Sequence, residues 1–278
     1  MLDGPGIFVT VKVWRKSGYS SLAINIWAAG IDQLNATRNL LLSVVGEQLL
    51  RREMFTIDWH FGSGVTGLES ASFDEMADPA PLDEAYPTLG EPLATFIQRY
   101  LASRETVLIL QGPPGTGKTR LVRAILAAIS AGKADSAKVL YTADKRALEN
   151  DQIFVEFVTG SHDAFVVEDA DHLLMARSNG NVDLHRFLAI ADGVVRAQGR
   201  KIIFTTNLPN LEDIDAALVR PGRCFARVRT RALDRREAAA LLARIANIPA
   251  PQESAGQPKL PSDERSFTLA CLYRMLEA

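Results

Sequence analysis

Two early stretches, 7–13 and 22–27, are rich in β-branched and aromatic residues that partly alternate with polar ones, which predicts two strands joined across 16–21. A helical period follows at Leu40, Leu41, Val44, Val45, Leu49 and Leu50, predicting an amphipathic helix over about 36–52. Residues 55–61 alternate again as a third strand. A helix is expected over about 91–103, where Leu93, Phe96, Ile97, Tyr100 and Leu101 share one face. From there, apolar runs of strand length at 107–110, 138–142, 164–167, 202–206 and 226–229 alternate with helical patterns at 121–129 and near 146–158, 183–197 and 212–219. Strand–helix alternation of this kind is the pattern of a parallel sheet with helices on its faces. Two more helical patterns, at about 233–247 and 266–277, close the chain around a proline-rich stretch, 249–261. The expected fold class is α/β, a core with a parallel sheet plus a small helical lid and a separate small α+β N-terminal module.

Composition divides the chain further. Residues 1–68 form the expected N-terminal α+β module, whose basic and acidic residues nearly balance; its small core implies that it packs on a neighbour. Residues 69–92 carry Glu69, Asp74, Glu75, Asp78, Asp83, Glu84 and Glu91 with no Lys or Arg, and Pro79, Pro81, Pro87 and Pro92 interrupt any helix. That stretch reads as an acidic linker with a short ordered piece at 83–89. The core then spans 93–231 and the reduced lid 232–278. Hydrophobic content of 47% and charged content of 23% are globular values, and a net charge of −2 gives no electrostatic pointer to nucleic acid. Two cysteines, Cys224 and Cys271, make no disulfide framework, which suits a reducing compartment. His60, His162, His172 and His185 have no ligand spacing and read as ordinary core or surface residues. No 18-residue apolar run and no basic, apolar leader occurs, so a cytoplasmic protein with no membrane span is expected.

Candidate chemistry is concentrated at 112–119. Gly112, Pro113, Pro114, Gly115, Thr116, Gly117, Lys118 and Thr119 follow an apolar strand pattern and precede a helical one. Glycines there let successive backbone N–H groups turn inward on an anion, and the helix start adds its unsatisfied amides and positive dipole end. Lys118 is placed to bond β- and γ-phosphate oxygens and the Thr119 hydroxyl to ligate Mg²⁺, as expected of a nucleoside triphosphate site. Residues 164–167 form an apolar strand ending in Glu168 and Asp169, carboxylates at the sheet edge where open α/β sheets bind ligands. One would hold Mg²⁺ and the next orient a water. Asn207 ends another apolar strand and could bond the γ-phosphate or that water. Arg220 and Arg223 bracket a Pro-Gly turn.

Taken together, these four motifs resemble the AAA+ ATPases, within them the AAA clade proper, over roughly 93–278. The resemblance implies that Lys118 and Thr119 belong to the first nucleotide motif and Glu168 and Asp169 to the second, with Asn207 a polar sensor. It also implies that Arg220 and Arg223 reach across a ring interface, usually of a hexamer, to a neighbour's γ-phosphate. The cofactors implied are ATP and Mg²⁺, the reaction ATP hydrolysis, and the work remodelling or unfolding a protein partner selected by the N-terminal module. Three features depart from the family pattern. The acidic pair is Glu then Asp rather than Asp then Glu. The stretch 139–163 lacks the aromatic–hydrophobic–Gly triplet that grips a threaded chain; Phe154 and Phe157 read as one helix's core face. The lid is reduced, with Arg265 and Arg274 as outside candidates for a second sensor. Two other readings stay open: a nucleic-acid-associated loader ATPase and an ATP-gated scaffold with little turnover.

Overall fold

The computed structural model describes residues 2–16, 19–45, 54–64, 67–133, 135–175, 184–191, 199–246, 260–261 and 264–277. The chain divides into two compact units, Met1–Leu50 and Arg51–Ala278. In the first, β1 (Leu2–Gly4), β2 (Ile7–Lys16) and β3 (Tyr19–Ala28) form an antiparallel three-stranded sheet, followed by α1 (Ile31–Val45). The β2–β3 pairing runs from Ile7↔Ala28 to Lys16↔Tyr19, so Ile7, Val9, Val11 and Val13 lie on one face opposite Ala28, Ile26, Ile24 and Leu22. Of these only Val9 is buried.

The second unit contains β4 (Met54–Phe61), β5 (Glu69–Met76), α2 (Leu93–Ala102), β6 (Val107–Gln111), α3 (Lys118–Ala131), β7 (Ala137–Thr142), α4 (Lys145–Glu149), α5 (Asp151–Thr159) and β8 (Ala164–Val167). It continues through α6 (Asp171–Leu174), α7 (Leu184–Ala191), β9 (Lys201–Thr206), β10 (Cys224–Arg229), β11 (Leu233–Asp234), α8 (Arg235–Ala246), β12 (Ser266–Phe267) and α9 (Leu269–Glu277). Seven strands form one sheet in the order β10-β6-β9-β8-β7-β4-β5, parallel except for the antiparallel edge strand β5.

Alternation along β6 sorts the core. Leu108 and Leu110 join α2, α3, α8 and α9 on one face, while Val107 and Ile109 join α4, α5, α6 and α7 on the other. All of β6 is buried, as expected of a parallel strand covered on both faces. On the second face Phe154, Phe157, Phe165, Phe187 and Phe204 pack ring to ring at 4.9–6.1 Å. Phe154 and Phe157 are thus core residues of α5.

The structure moves the first expected boundary. Residues 55–61 do not belong to the N-terminal module: β4 pairs parallel with β7 from Phe55↔Ala137 to Trp59↔Tyr141 and extends the large sheet. Nor is 69–76 linker, because β5 pairs along the whole of β4. Its acids are tolerated because an edge strand keeps one side in water, and negative charge there deters pairing with other chains. Asp74 accepts from Thr56 Oγ1 at 2.8 Å, and Arg123 of α3 donates to Asp78 at 2.6 Å. Residues 83–85 and 87–89 form two single 3₁₀ turns. The expected helix at 212–219 is only a 3₁₀ turn over 211–213 followed by turns, and the one at 146–158 breaks at Asn150, whose side chain caps α5. The lid gains a two-stranded piece, β11 with β12. Parts of the expected elements at 36–52, 183–197 and 249–261 lie outside the described residues.

Two buried histidines fasten β4 to its surroundings. His60 Nε2 contacts Glu156 Oε2 of α5 at 3.0 Å, and His162 Nε2 contacts Asp58 Oδ2 at 2.7 Å. Burial tends to raise the Asp58 pKa, but hydrogen bonds from Ser72 and His162 outweigh it and hold the carboxyl below its ordinary 3.8. A depressed carboxyl contributes stability that is present above the unfolded value and is lost as pH falls through the folded one. Asp58→Asn should therefore lower the melting temperature by about 2–4 °C near neutral pH. That gap should narrow below pH 3.8 as the wild-type carboxyl takes up its proton, measured by thermal unfolding across an acid pH series.

Candidate nucleotide site

Three adjacent strands, β6, β9 and β8, deliver the candidate residues to one edge of the sheet. The glycine-rich loop leaves the end of β6, Asn207 follows β9, and Glu168 and Asp169 follow β8. A parallel arrangement makes this convergence automatic, because all three C-terminal ends face the same way.

The loop is shaped by close approach. Gly112 has φ 158° and lies so near Thr230 that an added Cβ would sit 2.2 Å from the Thr230 carbonyl oxygen. Gly117, the N-cap of α3, has φ 91°, and its carbonyl oxygen accepts from the Tyr86 hydroxyl at 2.9 Å. Thr116 Oγ1 donates to Pro113 O at 2.7 Å and lies 2.7 Å from Thr230 Oγ1. The loop is therefore held from beneath by its own threonine and by the residue following β10.

Lys118 opens α3 and is 8% exposed. Its ammonium donates to Gly112 O at 2.7 Å, Pro113 O at 3.1 Å and Asn207 Oδ1 at 2.8 Å, all neutral oxygens. Burial lowers its pKa, and Asp169, Asp171 and Glu168 oppose that shift from a distance. A desolvated cation held by neutral acceptors at a helix N-terminus favours an anion.

The acidic side is equally connected. Glu168 Oε1 accepts from Thr119 Oγ1 at 2.6 Å, and its Oε2 accepts from the Tyr141 hydroxyl at 2.8 Å. Asp169 adopts φ 49°, the left-handed region; its backbone N–H donates to Thr205 Oγ1 at 3.0 Å and its Oδ1 accepts from Asn207 Nδ2 at 2.9 Å. Asp171 accepts from the Asn207 backbone N–H at 2.8 Å and from the Thr206 hydroxyl, which fixes the turn carrying Asn207. The Tyr141 pKa is raised by burial and then by the neighbouring Glu168, so its hydroxyl remains a donor.

These groups and the start of α9 surround a cavity of about 420 Å³, lined among others by Lys118, Thr119, Glu168, Asp169, Asn207 and Tyr273. Arg120 stacks on the Tyr273 ring at 4.1 Å, and Ala270 N donates to Gly115 O at 3.1 Å, so the lid closes directly on the loop. Arg265, Arg274, Arg220 and Arg223 are not among the residues lining the cavity. The Arg223 carbonyl instead accepts from Val107 N at 3.1 Å, at the start of β6, while the glycine-rich loop leaves the far end of that strand. Five residues of strand, roughly 15 Å, separate the two.

The sequence model of the family described as "ATPase family associated with various cellular activities (AAA)" matches residues 108–232. The chain carries an AAA ATPase domain. Similar curated proteins include the ATPase family gene 2 protein of Schizosaccharomyces pombe, 32% identical over 131 residues, which are 42% of this chain and 15% of that protein. An AAA-ATPase of Arabidopsis thaliana is 28% identical over 193 residues, 62% of this chain and 39% of the relative. An ATP-dependent zinc metalloprotease YME1 homolog of Caenorhabditis elegans is 29% identical over 184 residues, 59% of this chain and 22% of the relative. The chain thus spans well under two thirds of each. Among the described residues, no helix of the AAA domain or of the rest of the chain is long and apolar enough to cross a membrane.

The AAA domain implies nucleotide binding, and the residues present fit both nucleotide and metal. The buried ammonium and the glycine cradle suit phosphates; the Thr119 hydroxyl and Glu168 carboxylate are the hard oxygen donors that Mg²⁺ takes, directly or through its waters. Bound there, Mg²⁺ would supply positive charge that offsets the charge of the phosphates. Tyr86, Tyr141, Thr230, Ala270 and Tyr273 stand in this site without a local sequence signature, because they come from elements far along the chain from the glycine-rich loop, the last two together from α9. Removing the cation should weaken binding strongly: Lys118→Ala is expected to lose ATP affinity by at least about tenfold, measured by calorimetry. Asp169→Asn should keep ATP bound while stopping turnover, and Glu168→Gln should also raise the Mg²⁺ requirement. Active Asp169→Asn beside inactive Glu168→Gln would exchange the two roles.

Proposed function

We propose that this protein hydrolyses ATP as an oligomeric ring, most simply a hexamer, and uses the cycle to remodel, disassemble or unfold a protein partner. In this reading Lys118 and Asn207 hold the γ-phosphate, Thr119 and Glu168 hold Mg²⁺, and Asp169 orients the attacking water. Hydrogen bonding of Asp169 to Asn207 supports the last role, since it compensates by orientation for a carboxylate one methylene shorter than glutamate.

The observation carrying the ring is the position of Arg223, whose carbonyl is fixed at the opposite end of β6 from the glycine-rich loop. An arginine there cannot serve its own Lys118 site without crossing the sheet, so Arg220 and Arg223 serve a neighbouring copy. Arg220 is exposed and Arg223 partly exposed; the Arg223 guanidinium donates to Ala217 O at 2.6 Å, a bond it would exchange for the neighbour's phosphate. The N-terminal unit, with Val13, Trp14 and Trp27 about half exposed, is the part of the chain assigned to partner selection.

One observation favours a second reading, an ATP-gated scaffold with little turnover. Both Glu168 oxygens are already engaged, which suits holding Mg²⁺–ATP, while the position next to it carries Asp169, one methylene shorter than glutamate for reaching a water. Turnover separates the two. Activity per subunit should rise steeply with protein concentration as rings form, and Arg223→Ala should bind ATP normally but hydrolyse it roughly 10³-fold more slowly. Mixing Arg223→Ala with Lys118→Ala should restore activity, because an intact arginine from one subunit then serves the intact pocket of the next. Concentration-independent turnover without rescue would rule out the ring, and absence of turnover at any concentration would select the scaffold.

A further inference from the structure

Glu168 stands where the related pattern has a shorter aspartate. A glutamate stem has an extra rotatable bond and reaches further, so its carboxylate needs an external restraint to stay at one point. Here each oxygen is held by a different element. Thr119 Oγ1, from α3, donates to Oε1 at 2.6 Å, and the Tyr141 hydroxyl, from β7, donates to Oε2 at 2.8 Å. The Tyr141 ring is itself fixed, partly buried against the hydrophobic cluster that includes α3, with its backbone paired to Val166 on one side and Trp59 on the other. A tyrosine placed this way is a rigid post, with only two side-chain torsions and both constrained by packing.

We propose that Tyr141 is a positioning residue for the metal side of the site. Its hydroxyl holds Glu168 in the rotamer that keeps Oε1 against Thr119, and so sets the affinity for the divalent cation that accompanies the nucleotide. The proposal rests on the reading of Thr119 and Glu168 as the groups that hold the cation. Thr119 alone leaves Oε2 free to swing about the terminal carboxylate torsion, whereas two donors on two elements fix the plane of the carboxylate. Partners that orient a metal-holding group typically alter metal affinity without changing the group itself. Tyr141 makes no contact with the Lys118 ammonium, whose bonds all go elsewhere, so phosphate binding without metal is independent of it.

The test measures ATP affinity by calorimetry on the full chain, first with EDTA and then along a Mg²⁺ titration. Tyr141→Phe should bind ATP as wild type in EDTA and shift the Mg²⁺ half-point up by about tenfold. In a Glu168→Asp background, where the shorter carboxylate no longer spans to the hydroxyl, the same substitution should shift the half-point by less than about twofold. A Tyr141→Phe half-point equal to wild type overturns the role of Tyr141 and leaves the site assignment intact. Full, independent shifts in both backgrounds overturn it as well. Wild-type ATP affinity indifferent to Mg²⁺ instead removes the underlying assignment of Thr119 and Glu168. Loss of metal-free binding in Tyr141→Phe overturns the proposal too, because Tyr141 then supports more than the metal side of the site.

Discussion

The site depends on one constraint: the buried ammonium of Lys118 has to be held without a counter-ion. In the structure this is achieved entirely with neutral oxygens, two loop carbonyls and the Asn207 amide, while three carboxylates stand nearby without pairing. Direct pairing with a carboxylate would neutralise the cation and remove its attraction for phosphate. The acids are therefore engaged by others: Glu168 by Thr119 and Tyr141, Asp169 by Asn207, Asp171 by Thr206 and the Asn207 backbone. Each of these bonds takes a carboxylate away from the lysine and aims it at a place where a metal or a water can be held.

That electrostatic separation places demands on the scaffold. Strand ends from β6, β9 and β8 have to arrive together, which requires a parallel sheet covered on both faces and accounts for the complete burial of these three strands. The loop has to come within contact distance of Thr230, which only a glycine at 112 allows. The lid has to return α9 to the loop, and the Ala270–Gly115 hydrogen bond with the Arg120–Tyr273 stack joins the last helix to the first nucleotide motif. Opening of this lid would loosen the loop as well as the cavity, which gives a direct physical route from nucleotide occupancy to lid position.

The β4–β5 extension lies at the far edge of the same sheet from β10. It adds a parallel strand beyond β7 and caps the edge with an acidic antiparallel one. Its anchors are buried histidine–carboxylate contacts, His60 with Glu156 and His162 with Asp58, rather than apolar packing alone. Through the Trp59–Tyr141 pairing the extension abuts the strand that carries the Glu168 restraint, so it supports the site from one strand away.

Much of this was legible in the residues themselves. The glycine-rich octet, the apolar run ending in Glu168 and Asp169, and the strand before Asn207 are local patterns whose chemistry follows from residue type and spacing, and the strand–helix alternation predicted the parallel core. Strand partners were not legible. Residues 55–61 alternate identically whether they pair within a small module or along β7, because side-chain period reports one strand's faces and not its neighbour. The acids of 69–76 read as linker because edge strands and linkers are both solvated. Tyr141 and Thr230 were invisible for the same reason: a tyrosine on one strand meets a glutamate after the next only through register, and register is set by tertiary pairing between residues far apart in the chain.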